Sequence, residues 1–363
     1  MYFGRRGLTQ LVHEIASAFA RSTNADFYLA LSRQNEDYTD FLTLGDRLLT
    51  FDTFSGSVGA AAFWRARRLS REVRQFVIDN QISAVINLMP HIWSSKLVGG
   101  IKSAGASYLT VVHDARPHPG DITALAFFFL RRDIIAASGI ITLSRTVTSQ
   151  LVAQKLVAPD KILTLFHPLV GTSHPVRRAA PEAGQPWRFL FLGRIMAYKG
   201  LPIFVATMEK LRELGHSIEV SVMGEGSLSA VEKRLKQLGA VIVNKWLSPE
   251  EIADAFSTHH AIVLSHVEAS QSGVLASAQA AGLPVIACPV GGIVDQIRAD
   301  ETGVVSSEAS SNSLTNASIR LMKEPGLYVN ILENLALIKP HESADAFAQA
   351  IIEHVTSLLP RHT

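Results

Sequence analysis

The stretch RFLFLGRIMAYKG, residues 188–200, has the pattern of one strand followed by the start of one helix. The unbroken apolar run Phe189–Leu192 is typical of a parallel strand that is buried on both faces. Gly193 ends the run, and Arg194 and Lys199 follow it before the next helical pattern begins. A buried strand that passes through a glycine turn into a helix is the repeating unit of a parallel, helix-covered sheet.

The same alternation of apolar runs and helical patterns extends along the whole chain. The runs that predict strands are Asp26–Ser32, Leu48–Phe54, Ala84–Met89, Ser107–Asp114, Gly139–Ser144, Ile162–Pro168, Arg188–Arg194, Ile218–Gly224, Ala240–Trp246, Ala261–His266, Pro284–Cys288 and Thr302–Val305. Helix starts are predicted by Ser248-Pro249-Glu250-Glu251, which places an N-cap, a proline at N1 and an acid at N3, and by the similar spacing of Ser229 and Glu232. The fold class is therefore α/β with doubly wound parallel sheets.

The length of 363 residues predicts two domains, since a single core stops growing at roughly 250–300 residues. We expect a first domain over residues 1–170, a linker over 171–186, a second domain over 187–338 and a last helical segment, 339–363, that crosses back to the first domain. A doubly wound domain opens with a strand, whereas this sequence opens almost directly on the Gly4–Gly7 turn and a helix. We expect a first strand to be missing ahead of that turn; the alternative is a sheet that is one strand short.

The composition, 47% hydrophobic and 18% charged, is that of an ordinary globular protein. No apolar run reaches the ~20 residues that span a bilayer, and no signal peptide is visible. Cys288 is the one cysteine, so an intrachain disulfide is excluded, and we expect a small buried residue just past a strand. These features favour the cytoplasm, with the inner face of the membrane as a peripheral site.

The net charge of +2 gives no case for binding to nucleic acid. Up to Pro168 there are 18 Lys and Arg against 13 Asp and Glu, a balance of +5, and the remaining 16 against 19 give −3. The basic first half is compatible with an anionic surface or with scattered solvated charge. In the run Phe127–Arg132, core packing and a helix that dips into lipid are the two interpretations.

Arg194 and Lys199 are the first candidate site, because two cations at the end of a strand can hold a diphosphate and stabilise a departing anion. Two solvated basic residues in a loop are the alternative. The second candidate is the loop Ser265–Val274, which combines Glu268, Gln271 and small residues ahead of an alanine-rich helix. The amide groups at that helix start would face an anion, although a simple N-cap by Ser270 or Ser272 explains part of the pattern.

A third polar segment, His113–Asp121, follows the apolar strand that ends at Val112. His113 and His118 are five residues apart across two prolines, which is not helical ligand spacing, so a metal site is disfavoured. Weaker signals are Gly224-Glu225-Gly226 and Gly291-Gly292 with Asp295, where turn chemistry alone accounts for the glycines. The chain contains no Asp-x-Asp pair and no Gly-x-Gly-x-x-Gly after a strand, which counts against a metal-bridged donor and against a nicotinamide dehydrogenase.

Together these segments resemble the group 1 (family 4) retaining glycosyltransferases, whose GT-B fold has two Rossmann-like domains that face a central cleft. The resemblance covers nearly the whole chain and is strongest from Arg188 to Asp295. The matching segments are Gly193-Arg194 with Lys199-Gly200, Gly224-Glu225-Gly226, Gly282-Leu283-Pro284-Val285-Ile286-Ala287 with Gly291-Gly292, His113-Asp114 and the Gly4–Gly7 turn. It implies transfer of a sugar from a nucleotide-sugar to a glycan or lipid-linked acceptor, with retention of configuration and with no metal or other cofactor.

The resemblance also implies a role for each matching residue. Those implied in catalysis are His113, Arg194, Lys199 and Glu268. Those implied in donor binding are Gly193, Gly224, Glu225, Ser270, Gln271, Ser272, Gly273 and Val274. Those implied on the acceptor side are Gly4, Gly7, Asp114 and His118.

One departure concerns the family's two glutamates at Glu-x7-Glu spacing, of which the second contacts the donor ribose. Glu268 matches the first glutamate, while the second position falls on Ala276 or Ser277, so the nucleoside is left open. The alternatives are a degenerate GT-B scaffold that binds without turnover and another GT-B enzyme such as a sugar-nucleotide epimerase. A phosphorylase would need a lysine in a pyridoxal-binding context, which the second half does not offer.

Overall fold

The computed structural model describes residues 1–5, 8–54, 63–116, 124–171, 178–338 and 342–358. The chain divides into two compact units. Unit 1 contains the described residues of 1–168 and 343–358, and unit 2 contains those of 169–342. The acceptor-side and donor roles expected for the two halves stay predictions.

Unit 1 is built on parallel strands. The strands are β1 Leu29–Ser32, β2 Leu48–Phe51, β3 Ala84–Asn87, β4 Ser107–Val112, β5 Gly139–Thr142 and β6 Ile162–Thr164. They form a two-stranded pair, β1-β2, and a four-stranded sheet in the order β3-β4-β5-β6. The helices are α1 Thr9–Arg21, α2 Phe63–Asp79, α3 Ser94–Ser103, α4 Ala124–Ala136, α5 Arg145–Ala153 and α12 Ala344–Leu358, with 3-10 turns at Tyr38–Arg47 and Pro159–Lys161. Helix α12 packs on α1, so the end of the chain lies in unit 1.

The first residues of the chain join the two parts of this sheet. Tyr2 forms a parallel bridge with Leu31 of β1, and the amide of Leu88 donates to the carbonyl of Met1 at 2.9 Å. Residues 1–3 therefore lie between β1 and β3 as a short strand segment. Behind them, the apolar face of α2 packs into a core with α3 and β4.

Unit 2 is one six-stranded parallel sheet in the order β12-β11-β10-β7-β8-β9. Its strands are β7 Trp187–Leu192, β8 Ile218–Met223, β9 Val241–Val243, β10 Ala261–Leu264, β11 Val285–Ala287 and β12 Gly303–Val305. Its helices are α6 Leu201–Glu213, α7 Glu232–Gln237, α8 Pro249–Thr258, α9 Gly273–Ala280, α10 Ser311–Lys323 and α11 Leu327–Ile338, with 3-10 turns at Ala197–Lys199 and Gly291–Gln296. Alternate residues of β7 enter two separate cores, Phe189 and Phe191 on one face and Leu190 and Leu192 on the other. This two-sided burial explains the unbroken apolar run in the sequence.

The predicted strands and the fold class, two α/β units with parallel sheets, are confirmed. Several strands end before their predicted limits. The run Ala261–His266, for example, is a strand only to Leu264, because the residues that follow form loops at the carboxyl edge of the sheet. Cys288 is fully buried just after β11, as expected, and burial raises the pKa of its thiol to about 11.

The helix-start predictions give one success and one failure. The Ser248 side chain accepts from the amide of Glu251, and the Glu251 carboxylate accepts from the amide of Ser248 at 3.0 Å. Together the two bonds form a complete capping box. The box predicted at Ser229 is wrong, since α7 has Val231 as its N-cap with no side-chain bond. There, a turn from Leu228 to Val231 comes before the helix, and the Ser229 hydroxyl pairs with Ser227 instead.

Candidate functional site

The loops that leave β8, β7, β10 and β11 meet at one edge of the unit 2 sheet. These four strands are parallel and adjacent, so their carboxyl ends lie side by side. In sheets of this kind, ligands bind outside the carboxyl ends of the strands, where loops and helix N-termini converge. The predicted segments Gly193–Gly200, Gly224–Gly226 and Ser265–Val274 all leave the sheet at this edge.

Backbone contacts hold two of these loops together at their glycines. Gly224 has a φ of +140°, and a Cβ at this position would overlap the carbonyl of Gly193. A Cβ built on Gly193 would lie 3.4 Å from Cγ2 of Val274, at the start of α9. Gly224 is thus required by close approach, and Gly193 is favoured by its φ of +119°. Both loops lie near the N-terminus of α9.

Arg194 and Lys199 are arranged around one tyrosine. Arg194 is exposed, and its Nη2 donates to the hydroxyl of Tyr198 at 3.4 Å. Lys199 is half-buried, with Nζ 5.6 Å from the centroid of the Tyr198 ring, while the ring itself is buried. Burial, and to a lesser extent the charge of Arg194, lowers the pKa of Lys199 to about 8. Two cations therefore share this edge of the sheet.

The loop after β10 leads into the N-terminus of α9. Ser272 is the N-cap of this helix, and its hydroxyl accepts from the amide of Leu275 at 3.2 Å. Ser270 is buried, and Glu268 and Gln271 are half-buried. The N-cap interpretation therefore holds for Ser272, while a ligand-binding role for the polar side chains before it stays a prediction.

Gln296 is a residue of this site that the sequence did not predict. Its side-chain carbonyl accepts from the amide of Ser272 at 2.7 Å, and its amide group donates back to the Ser272 carbonyl at 3.1 Å. The first amides of a helix have no intrahelical partner. With Ser272 and Leu275 already bonded, the amides of Gly273 and Val274 remain to donate to a ligand, since no hydrogen bond within the described residues uses them.

The predicted residues of unit 1 lie at the carboxyl edge of its own sheet. His113 follows β4, and its Nε2 lies 2.7 Å from the carbonyl of Leu88, so Nε2 carries the proton. Burial lowers the pKa of His113, against smaller opposing effects from the Leu88 bond and from Asp114. The Gly4 carbonyl accepts from Nδ2 of Asn35 at 2.9 Å. Gly7 and His118 lie outside the described residues.

Two further histidines at this edge were missed by the sequence analysis. His91 follows β3 and is surrounded by Phe3, Phe54 and Trp93, and His167 follows β6 and is buried. Burial lowers the pKa of each to about 4. The rule that selected His113, a polar residue at the carboxyl end of a strand, also applies to His91 and His167.

The described ranges contain neither a metal-ligand cluster nor a membrane-spanning helix. Within them, no group of three or more His, Cys, Asp and Glu side chains is placed to hold a metal ion. No helix in the same ranges has the length and apolar character needed to cross a bilayer.

Residues 186–324 match the family described as "Glycosyl transferases group 1". The matched segment contains the whole cluster of loops described for unit 2.

Curated relatives of this chain carry related names. The D-inositol 3-phosphate glycosyltransferase of Corynebacterium aurimucosum is 24% identical over 182 residues, which cover 47% of this chain and 43% of that relative. This chain therefore spans less than half the length of that relative. The 2-deoxystreptamine glucosyltransferase of Streptomyces kanamyceticus is 24% identical over 305 residues, which cover 75% of this chain and 76% of that protein.

Solved structures extend the similarity to the complete fold. The structure of HepE from Anabaena in complex with UDP superposes with a TM-score of 0.73 at 14% identity, over 98% of this chain and 99% of that chain. The predicted GT-B fold class is thereby confirmed.

Proposed function

We propose that this protein is a retaining, metal-independent glycosyltransferase. It transfers a sugar from a nucleoside-diphosphate sugar to a glycan or lipid-linked acceptor, in the synthesis of a cell-surface polysaccharide or glycolipid. The observation that carries the proposal is the convergence of Arg194, Lys199 and the amides of Gly273 and Val274 on one edge of unit 2. Such a set of positive groups matches a diphosphate better than any neutral ligand.

In this proposal unit 2 binds the donor. Arg194 and Lys199 hold the diphosphate and stabilise the negative charge that grows on it as its bond to the anomeric carbon breaks. The amides at the start of α9 bind the same phosphates, and Gln296 keeps that helix start in position. These fixed positive groups provide the stabilisation that a metal ion would otherwise supply.

Glu268 is proposed to bind hydroxyl groups of the transferred sugar, with Ser270 and Gln271 beside it. A half-buried carboxylate accepts hydrogen bonds from hydroxyls and fixes their orientation. The distal carboxylate of the related enzymes has no counterpart here, because Ala276 lies in the core with 1% of its surface exposed and the next residue is Ser277. The proposal therefore names a diphosphate and a sugar, and leaves the nucleoside to the experiment.

Unit 1 is proposed to be the acceptor side, with His113 in contact with the sugar or the acceptor hydroxyl. The Nε2–H group donates to the Leu88 carbonyl, which holds the neutral ring in one tautomer. The lowered pKa of His113 favours that neutral form. Gly4, Gly7, Asp114 and His118 complete the proposed acceptor side.

A basic outer face of unit 1 supports peripheral contact with a membrane. Helix α2 packs on α3, and α3 packs on α4. The exposed cations of these three helices are Arg65, Arg67, Arg68, Arg71, Arg74, Lys96, Lys102, Arg131 and Arg132. Trp64, 73% exposed, and Phe128, 52% exposed, lie among them. Basic side chains with interspersed aromatics favour binding to anionic lipid headgroups.

Binding and turnover test the proposal separately. A thermal-shift screen of nucleoside diphosphates and their sugars should raise the melting temperature with at least one of them, and UDP-glucose is tested early because HepE was solved with UDP. Product detection by mass spectrometry then uses glycan and lipid-linked acceptors, the latter in vesicles with and without phosphatidylglycerol. If no nucleoside diphosphate binds, the donor site is wrong. Binding without hydrolysis or transfer would identify a scaffold that does not turn over. Equal activity in both kinds of vesicle would contradict the proposed contact with anionic lipid.

The affinity for the nucleoside diphosphate is expected to fall as the pH rises through about 8. The lowered pKa means that Lys199 is a cation below this pH and becomes neutral above it in the ligand-free protein. Binding of the anion at higher pH must then take up a proton, so the affinity falls by up to about tenfold per pH unit. Isothermal titration between pH 7 and pH 9.5 measures this slope. The control is Lys199→Arg, which keeps its charge and should give a flat profile; equal slopes in both proteins would contradict the assignment.

A further inference from the structure

The core of unit 1 contains a buried carboxyl group that the proposed reaction does not use. Asp133 is on α4 and has no exposed surface. One of its carboxylate oxygens accepts from the Tyr108 hydroxyl at 2.9 Å. The other accepts from the Thr110 hydroxyl at 2.8 Å and from Nδ2 of Asn87 at 3.3 Å. Asp133 therefore joins α4 to two neighbouring strands, since Asn87 is in β3 and the two hydroxyls are in β4.

This carboxyl group lowers the stability of unit 1 at higher pH. Its partners within the described part of the chain are uncharged, and burial raises the pKa of Asp133, against smaller opposing effects from its three hydrogen bonds. A carboxyl group whose pKa is raised on folding binds its proton more tightly in the native state, so stability is lost as the pH rises through that pKa. An apolar side chain of similar size avoids this cost. Core stability alone therefore does not account for an aspartate at this position.

The same hydrogen-bond network holds both ends of the loop that follows β3. Nδ2 of Asn87, the last residue of β3, also donates to the hydroxyl of Ser94 at 3.3 Å. The Ser94 hydroxyl in turn accepts from the amide of His91 at 3.0 Å. Asn87 and Ser94 are both buried, so water does not compete for these bonds. Residues 88–93 are thus anchored at their start by Asn87 and at their end by Ser94.

This anchored loop presents the Leu88 carbonyl to His113. Leu88 directly follows Asn87, and its carbonyl accepts from Nε2 of His113 at 2.7 Å. His113 directly follows β4, the strand that contains Thr110. Asn87 and Thr110 are also the last register pair between β3 and β4. Beyond this pair the two strands no longer bond to each other through their backbones, and the side-chain network supports the geometry between Leu88 and His113.

We propose that Asp133 is a positioning residue of the acceptor side. By fixing Asn87 and Thr110 against each other, it holds the Leu88 carbonyl where His113 donates to it. The hydrogen bond at one ring nitrogen of a histidine sets the tautomer and the orientation of the ring. Asp133 acts through His113 and not on the substrate, because it has no exposed surface. Its effect on transfer rests on the proposed function of His113.

NMR of the histidine ring nitrogens tests the position of His113 without any substrate. Asp133→Leu removes the acceptor, and Thr110→Val removes one donor while keeping the shape of the side chain. In both variants the ratio of the Nε2–H to the Nδ1–H tautomer of His113 should fall about fivefold, the scale of one hydrogen bond. The spectrum of His113→Gln assigns the signal. An unchanged ratio would overturn the proposal, and Thr110→Val decides alone if Asp133→Leu does not fold.

Kinetics separate the positioning of His113 from its proposed role in transfer. In Asp133→Leu the KM for the acceptor should rise at least about tenfold, because a misplaced contact weakens a correctly oriented complex. The Kd for a nucleoside diphosphate should stay within about twofold, since the proposed donor groups are in unit 2. Asp133→Asn keeps an acceptor oxygen in the same place and should recover most of the loss.

Val77→Ala is the control for a purely structural effect. Val77 is a buried apolar residue of α2 in the same core and takes no part in the network. This variant should lower the melting temperature and leave both the tautomer ratio and the acceptor KM unchanged. If it changes them as much as Asp133→Leu does, the positioning role is wrong. A changed ratio with an unchanged acceptor KM would confirm that Asp133 positions His113 and would contradict the proposed function of His113.

Discussion

Replacing Lys199 with methionine is expected to weaken the binding of a nucleoside diphosphate at least tenfold, about 1.5 kcal/mol. This is the lower range for a hydrogen bond to a charged group. Methionine keeps an apolar stem against Tyr198, so the change removes the charge without opening the core. Isothermal titration with the diphosphate measures the loss.

The effect on turnover should be larger than the effect on binding. The negative charge on the departing diphosphate grows as the glycosidic bond breaks, and a group that stabilises it contributes most in the transition state. We expect turnover to fall about 100-fold or more in Lys199→Met, and to a similar degree in Arg194→Ala. The matched control is Lys233→Met, an exposed lysine on α7 outside the cluster of loops. If Lys199→Met and Lys233→Met bind and react alike, the diphosphate lies elsewhere.

Gly200→Ala is expected to destabilise unit 2 by about 4 kcal/mol. Gly200 has a φ of +67°, a left-handed conformation in which a side chain adds strain. A Cβ at this position would also overlap the carbonyl oxygen of Ser265, which is backbone and cannot rotate away. Urea unfolding followed by circular dichroism measures the change in the free energy of unfolding.

Gly239→Ala is the control that separates strain from overlap. Gly239 has a similar φ of +55°, and a Cβ there would meet nothing within 4 Å. It should cost only about 1 kcal/mol, the strain alone. The remaining loss in Gly200→Ala comes from pushing two loops apart. Two hydrogen bonds join these loops: the Ser265 hydroxyl donates to the Lys199 carbonyl at 3.0 Å, and the Val267 amide donates to the Tyr198 carbonyl at 2.9 Å. Equal costs for the two variants would show that these loops can separate freely.

Patterns that depend on neighbours in the chain predicted the fold correctly. The run Phe189–Leu192 is apolar at every position because both faces of this strand are covered by core side chains. The capping box at Ser248 was also predictable, because its bonded groups are only three residues apart in the chain. At Ser229 the same spacing failed, because a turn in the backbone rather than the side-chain spacing decided where α7 begins.

The residues of the candidate site could be chosen from the sequence, whereas their contacts could not. Arg194, Lys199 and Ser272 could be chosen from their positions after strands, whereas Gln296 could not, because it bonds to a residue 24 positions away. The lowered pKa of Lys199 likewise depends on burial by groups that are distant in sequence. Spacing in the chain carries no information about such contacts, so they became visible only in three dimensions.

The single cysteine allows local opening of unit 2 to be measured by chemical labelling. Cys288 has no exposed surface, and its thiol stays protonated at neutral pH because burial raises its pKa to about 11. A thiol reagent can attack it only during the moments when the region around β11 opens. The rate of labelling therefore measures how often this half of the molecule opens, and a bound donor would lengthen the interval between openings.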